Sequence, residues 1–221
     1  MLTAAAILCA CSSTTFAPTA ARHVPPPRIT RIAATARTWD LHAHATALAW
    51  LTLFRDGAPF EQANLAVAYS IQRSNPRIAP FDAVHLASVG IAAANENALD
   101  PEFFCATMLQ ESAFDPDAIS SAGAVGIAQF TIGTADAEGV NPFNSESALR
   151  GAAALLGDYV NHYRGVYADP YAAALAAYNA GPQAVASYRG VPPYAETQAY
   201  IGYVYERWAR IITDEVMRKR V

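Results

Sequence analysis

The chain has 221 residues, 53% of them hydrophobic and 15% charged, with a formal net charge of -4. That is enough apolar material for one core, or for one core with a small helical extension. No Lys/Arg stripe is visible, which excludes a basic nucleic-acid binder. Ala dominates and β-branched runs are scarce, so the fold class expected is mainly α.

The first stretch reads as an export leader, residues 1–21. The apolar run from Leu2 to Cys11 is too short to span a bilayer as a stable helix, and small residues follow it. Leu8-Cys9-Ala10-Cys11 resembles a bacterial lipobox, which would make Cys11 a lipidation site and give the protein a lipid anchor to the membrane. No Lys or Arg precedes the apolar run, and cleavage further on, near Ala17 to Ala21, is the other reading. Residues 22–38, with Pro25-Pro26-Pro27, read as an extended linker.

Helical patterning begins at Trp39. Leu41, Leu48, Leu51 and Phe54 fit one face, and Gly57-Ala58-Pro59 ends it. A second helix over 60–74 stops at Asn75-Pro76. Together these make an N-terminal helical extension, residues 39–76, beside a main domain over 77–215. A third helix opens at Pro80 or Phe81 and runs to about Asn97. Asp100-Pro101-Glu102 then has the signature of a helix start: Asp as cap, Pro at the first position, an acid in the first turn. Leu99 and Phe104 can staple that end.

In the helix from Pro101, the residues Phe104, Thr107, Met108 and Glu111 share one stripe, so Glu111 extends an apolar face. Asp115-Pro116 is expected to end this helix. Gly123 and Gly126 permit tight turns after it. Further helices are expected at about 147–163, 171–179, 182–188 and 196–217, with at most a short β ribbon around 125–130.

Of three cysteines, two lie in the leader, leaving Cys105 as a buried, inert thiol with no disulfide partner. His42 and His44 are two apart, so a helix points them away from each other; His85 and His162 are isolated. No metal site and no cofactor are expected.

Three blocks carry a resemblance. The first runs Glu111-Ser112-x-Phe114-x-Pro116-x-Ala118-x-Ser120-x-x-Gly123-Ala124-x-Gly126-Ile127-x-Gln129. The second is Ala177-Tyr178-Asn179-Ala180-Gly181. The third is Pro192-Pro193-Tyr194-x-Glu196-Thr197-x-x-Tyr200-Ile201. Together, over roughly 81–208, they resemble the soluble lytic transglycosylase (SLT) domain, a goose-lysozyme-like family that cleaves bacterial peptidoglycan. The resemblance implies a lysozyme-like helical domain with a glycan-binding cleft. It implies a partner, the glycan strands of peptidoglycan, and a location in the bacterial envelope, in the periplasm or lipid-anchored at the outer membrane. A role beside envelope assembly machinery fits a small enzyme of this kind.

It also implies a reaction. The β-1,4 bond between N-acetylmuramic acid and N-acetylglucosamine breaks without water, and the muramic C6 hydroxyl closes on C1 to leave a 1,6-anhydro end. Glycosidases usually need two carboxylates. One suffices if the substrate's own hydroxyl attacks at high effective molarity. Glu111 is then acid first and base second, and an apolar setting must raise its pKa. Asp115 and Asp117 lie in a Pro-containing turn, where capping or solvation is their expected role.

For substrate contacts the resemblance implies Tyr178 beside the acid, Ser120 near the acetamido group and Glu196 on the cleft rim. The amides of Gln129 and Asn179 are suited to reading sugar groups. Each residue has a plainer reading. Tyr178 fits a core aromatic, Asn179 a helix C-cap, Gln129 a turn amide, Ser120 a turn residue and Glu196 a helix N-terminal acid. Ala128 stands where the family often has Met, and no Pro follows at the next turn, which should loosen it. Two rivals remain open: a lysozyme-type hydrolase on the same fold, and a non-cleaving peptidoglycan-binding scaffold.

Overall fold

Helix starts in this chain are written in side-chain caps. In the computed structural model, which describes residues 62–218, Asp100 accepts a 2.8 Å hydrogen bond from the Phe103 N–H, with Pro101 at the first helical position. Asn144 and Asp169 do the same for Ser147 and Ala172. These caps set the element order: α1 (Gln62–Ser74), α2 (Pro80–Glu96), α3 (Pro101–Glu111), α4 (Ile132–Glu138), α5 (Ser145–Tyr163), α6 (Pro170–Ala180), α7 (Pro182–Tyr188) and α8 (Ala195–Arg218).

The expected mainly α class is what the structure shows. Its β content among the described residues is isolated bridging: Ile119 to Val125 and Val125 to Phe130, where the sequence suggested a short ribbon, and Arg164 to Tyr167. The leader, the linker, the first helix from Trp39 to the Gly57-Ala58-Pro59 stop, His42, His44 and Cys11 all lie outside the described residues. Helix α1 shares the core of the main domain: Ala66, Val67, Ala68 and Ile71 are fully buried in the same cluster as α2 and α3.

Helix α3 is the centre of that core. Seven consecutive residues, Phe103 to Leu109, are buried. The single stripe expected from the sequence is therefore a correction: α3 is apolar all round because neighbours cover every side of it. Phe103 meets Tyr171 and Trp208 edge-on, with centroids at 4.7 and 5.2 Å. Cys105 is buried as expected, and burial pushes its thiol pKa strongly up, so it stays neutral and inert.

Two local expectations also need correction. Helix α3 ends at Glu111, not at Asp115-Pro116, because Ala113 and Phe114 turn into left-handed backbone (φ 54° and 60°) and drive the Phe114 ring into the core. No helix is expected from the sequence directly after Phe130. Thr131 caps a helix that the sequence reading missed, α4, by accepting from the Thr134 N–H.

Gly126 fixes the loop between α3 and α4. Its φ is +73°, and a Cβ there would lie 2.2 Å from the Pro142 carbonyl oxygen. Gly126→Ala is expected to cost about 2–4 kcal/mol, from left-handed strain plus overpacking, read as a lower midpoint in urea unfolding.

Candidate active site

Glu111 is the last residue of α3, where the chain leaves the core. Burial raises its carboxyl pKa from 4.5 to about 7, and a hydrogen bond from Tyr200 acts in the opposite, lowering direction. The negative end of the helix dipole also favours the neutral acid. No neighbouring carboxylate contributes to the shift. Asp115 is paired with Arg77, and its backbone N–H donates to Ser112 Oγ. Its Oδ1 accepts from the Asp117 N–H at 3.1 Å, so it organises the turn, and Asp117 is exposed.

The phenol beside the acid belongs to Tyr200, which donates to Glu111 Oε1 at 2.5 Å. The resemblance implies Tyr178 beside the acid. Tyr178 instead donates to the Ala128 carbonyl at 2.9 Å; burial first, and then the charge of Glu111, pushes its pKa up. Tyr200 stood in the third block with no role assigned. The signal that could have found it is the buried face of α8, where Thr197, Tyr200, Ile201 and Val204 recur at helical spacing. A buried Tyr on such a face needs a hydrogen-bond partner.

The loop over 118–130, which follows the acid in the chain, is held from several sides. Ser112 Oγ donates to the Ile127 carbonyl at 2.6 Å, tying the loop to the end of α3. Tyr178 holds Ala128 from α6. Gln129, in left-handed backbone, donates from Nε2 to the carbonyls of Gly126 and Ala118 at 2.9 and 3.2 Å. Its amide hydrogens are thus engaged in bracing the loop. Ser120 closes the loop tip, accepting from the Ala124 N–H at 3.0 Å. Asn179 is exposed and accepts from Thr197 Oγ1 at 2.8 Å, linking α6 to α8; the C-cap of α6 is Gly181. Glu196 sits exposed in the first turn of α8. Among the described residues, no group of three or more His, Cys, Asp or Glu side chains is placed to hold a metal.

A helical core that delivers one half-buried, readily protonated acid to the foot of a braced loop defines a class: a single-acid site on an α scaffold. The family follows from comparison. The model of the transglycosylase SLT domain matches residues 88–201, just over half of the chain, and the chain belongs to that family. It is 37% identical over 93 residues to the membrane-bound lytic murein transglycosylase F of Maricaulis maris (strain MCS10). That match takes in 41% of this chain and spans only 20% of the relative. Among solved structures it is similar to the lytic transglycosylase Slt from Pseudomonas aeruginosa, at 25% identity and a TM-score of 0.49. The likeness covers 56% of this chain and 23% of that one.

Proposed function

We propose that this protein is a peptidoglycan lytic transglycosylase of the bacterial cell envelope, with Glu111 as its acid and then its base. The observation that carries the reading is the Glu111 carboxyl itself: raised by burial to a pKa of about 7, with the Tyr200 phenol on one oxygen and no second carboxylate contributing. Family membership and the likeness to a murein transglycosylase support the substrate class.

Protonated Glu111 gives its proton to the glycosidic oxygen as the C1–O bond breaks. The carboxylate left behind takes the proton of the C6 hydroxyl while O6 bonds to C1. The products are a free 4-hydroxyl on N-acetylglucosamine and a 1,6-anhydromuramic end, and Glu111 is protonated again. Tyr200 contributes by donating to the carboxylate in the interval when it is charged. Exposed Asn179 and Glu196 are the proposed sugar contacts on the rim. Ser120, Gln129 and Tyr178 act on the substrate through the loop they hold. The finer placement, in the periplasm and lipid-anchored through Cys11, and a role beside envelope assembly machinery belong to the same proposal.

The test is product chemistry. Sacculi digested by the purified protein and analysed by mass spectrometry are expected to yield anhydromuramic ends. Reducing ends alone would identify a water-using muramidase on the same scaffold, and no released fragments would identify a binding scaffold.

A further inference from the structure

We propose that a second groove, formed by the C-terminal half of α5, the turn over 164–169 and the first turn of α7, is a carbohydrate subsite. It takes an N-acetylhexosamine ring of the glycan strand, away from the bond that Glu111 attacks. Which strand fills it rests on the reading of Glu111 given above; that it binds a sugar does not.

The groove has a volume of about 670 Å³, within the range of sites that hold small molecules. Its floor is aromatic. Tyr159 and Tyr163, one turn apart on α5, lie within 24° of parallel with centroids at 6.3 Å. The Tyr163 ring also contacts Tyr167, at 5.4 Å. Tyr163 is itself buried, so it backs Tyr159 and Tyr167, which keep part of their surface open. Val166 adds an apolar group that is 62% exposed. The turn carrying these residues is closed by hydrogen bonds from the N–H groups of Val166 and Tyr167 to the Tyr163 carbonyl, so the floor is preformed.

Around that floor stand exposed polar groups, Asp158, His162 and Gln183. Apolar ring faces surrounded by hydrogen-bonding groups match a pyranose, which presents C–H bonds on its face and hydroxyls at its rim. The lining holds a carboxylate and neither Lys nor Arg. That disfavours an anionic peptide and suits an uncharged sugar ring.

The full chain carrying Glu111→Gln, which stops turnover, is titrated with a long β-1,4-linked N-acetylglucosamine oligomer (chitohexaose) by calorimetry. On that background Tyr167→Ala and Val166→Asp are each expected to weaken binding by about tenfold, the worth of one aromatic or apolar face. Val166 is exposed, so its variant tests the groove without disturbing the core. Affinity within about twofold of the parent for Val166→Asp overturns the subsite. So does a hexamer that leaves the amide signals of Val166 and Gln183 unmoved in NMR spectra. If Glu111→Gln retains full activity on sacculi while the groove variants still lose affinity, the catalytic reading fails and the subsite stands.

Discussion

Glu111→Gln is expected to end cleavage of sacculi while leaving the fold intact. Gln has nearly the same shape and keeps an oxygen that accepts from Tyr200, so the contact at 2.5 Å has a successor. What the amide lacks is a proton to give and a carboxylate to take one back. General acid–base assistance contributes about 10²–10⁴-fold in ordinary cases. Here one group serves both halves of the reaction, so turnover is expected to fall by about 10³-fold or more. The measurement is the rate of soluble muropeptide release, with a thermal melt to show that the variant is folded. Asp115→Asn is the matched control. Asp115 is bonded to Arg77 and to its own turn, so its loss should leave most of the turnover. Equal losses in both variants would point to a two-carboxylate hydrolase instead, and an active Glu111→Gln would leave only the scaffold.

Why the acid was legible in the sequence, and its phenol was not, follows from chain separation. Caps and breakers are local, so Asp100-Pro101, Asn75-Pro76 and Pro80 marked helix ends within a residue or two of where they fall. Glu111 stood out because an acid closes an apolar helix. Its partner comes from 89 residues away. The spacing of buried residues along α8 marks Tyr200 as a phenol in need of a partner. It does not say that the partner is Glu111, and Tyr178 lies on a helix and in a block of the same resemblance. The choice between them is made by how α8 packs against α3, where Arg207 also donates to Gln110. Helix α4 was missed for a related reason. It has seven residues, too few for a periodic pattern, and Thr131 as its cap is a weak signal alone. The double duty of Gln129 was equally hidden: its left-handed backbone (φ 53°) is stabilised by bonds its own side chain makes across the loop.

The titration of Glu111 gives the second large effect, and it has two readouts. The reaction must begin with the acid protonated, so kcat/KM is expected to fall as pH rises through about 7, the pKa burial gives this carboxyl. Tyr200 donates to the ionised form and so holds the pKa down. Tyr200→Phe should therefore move the alkaline limb to higher pH, even as the rate at the optimum drops. A merely structural Tyr200 would lower the rate without moving the limb. Stability follows the same proton. The folded pKa of about 7 lies above the ordinary value of 4.5, so the protonated group favours the fold fully below pH 4.5. That contribution is lost as pH rises toward 7, and above 7 the fold holds a buried charge at a cost of roughly 3 kcal/mol. Glu111→Gln carries no such charge. It is expected to be more stable than the parent at pH 8 by up to about 3 kcal/mol, with the gap closing at pH 4, as read from melts at the two pH values. A gap that does not change with pH would mean that the carboxyl is solvated. An acid of that kind would be ionised at neutral pH and could not protonate a leaving oxygen there.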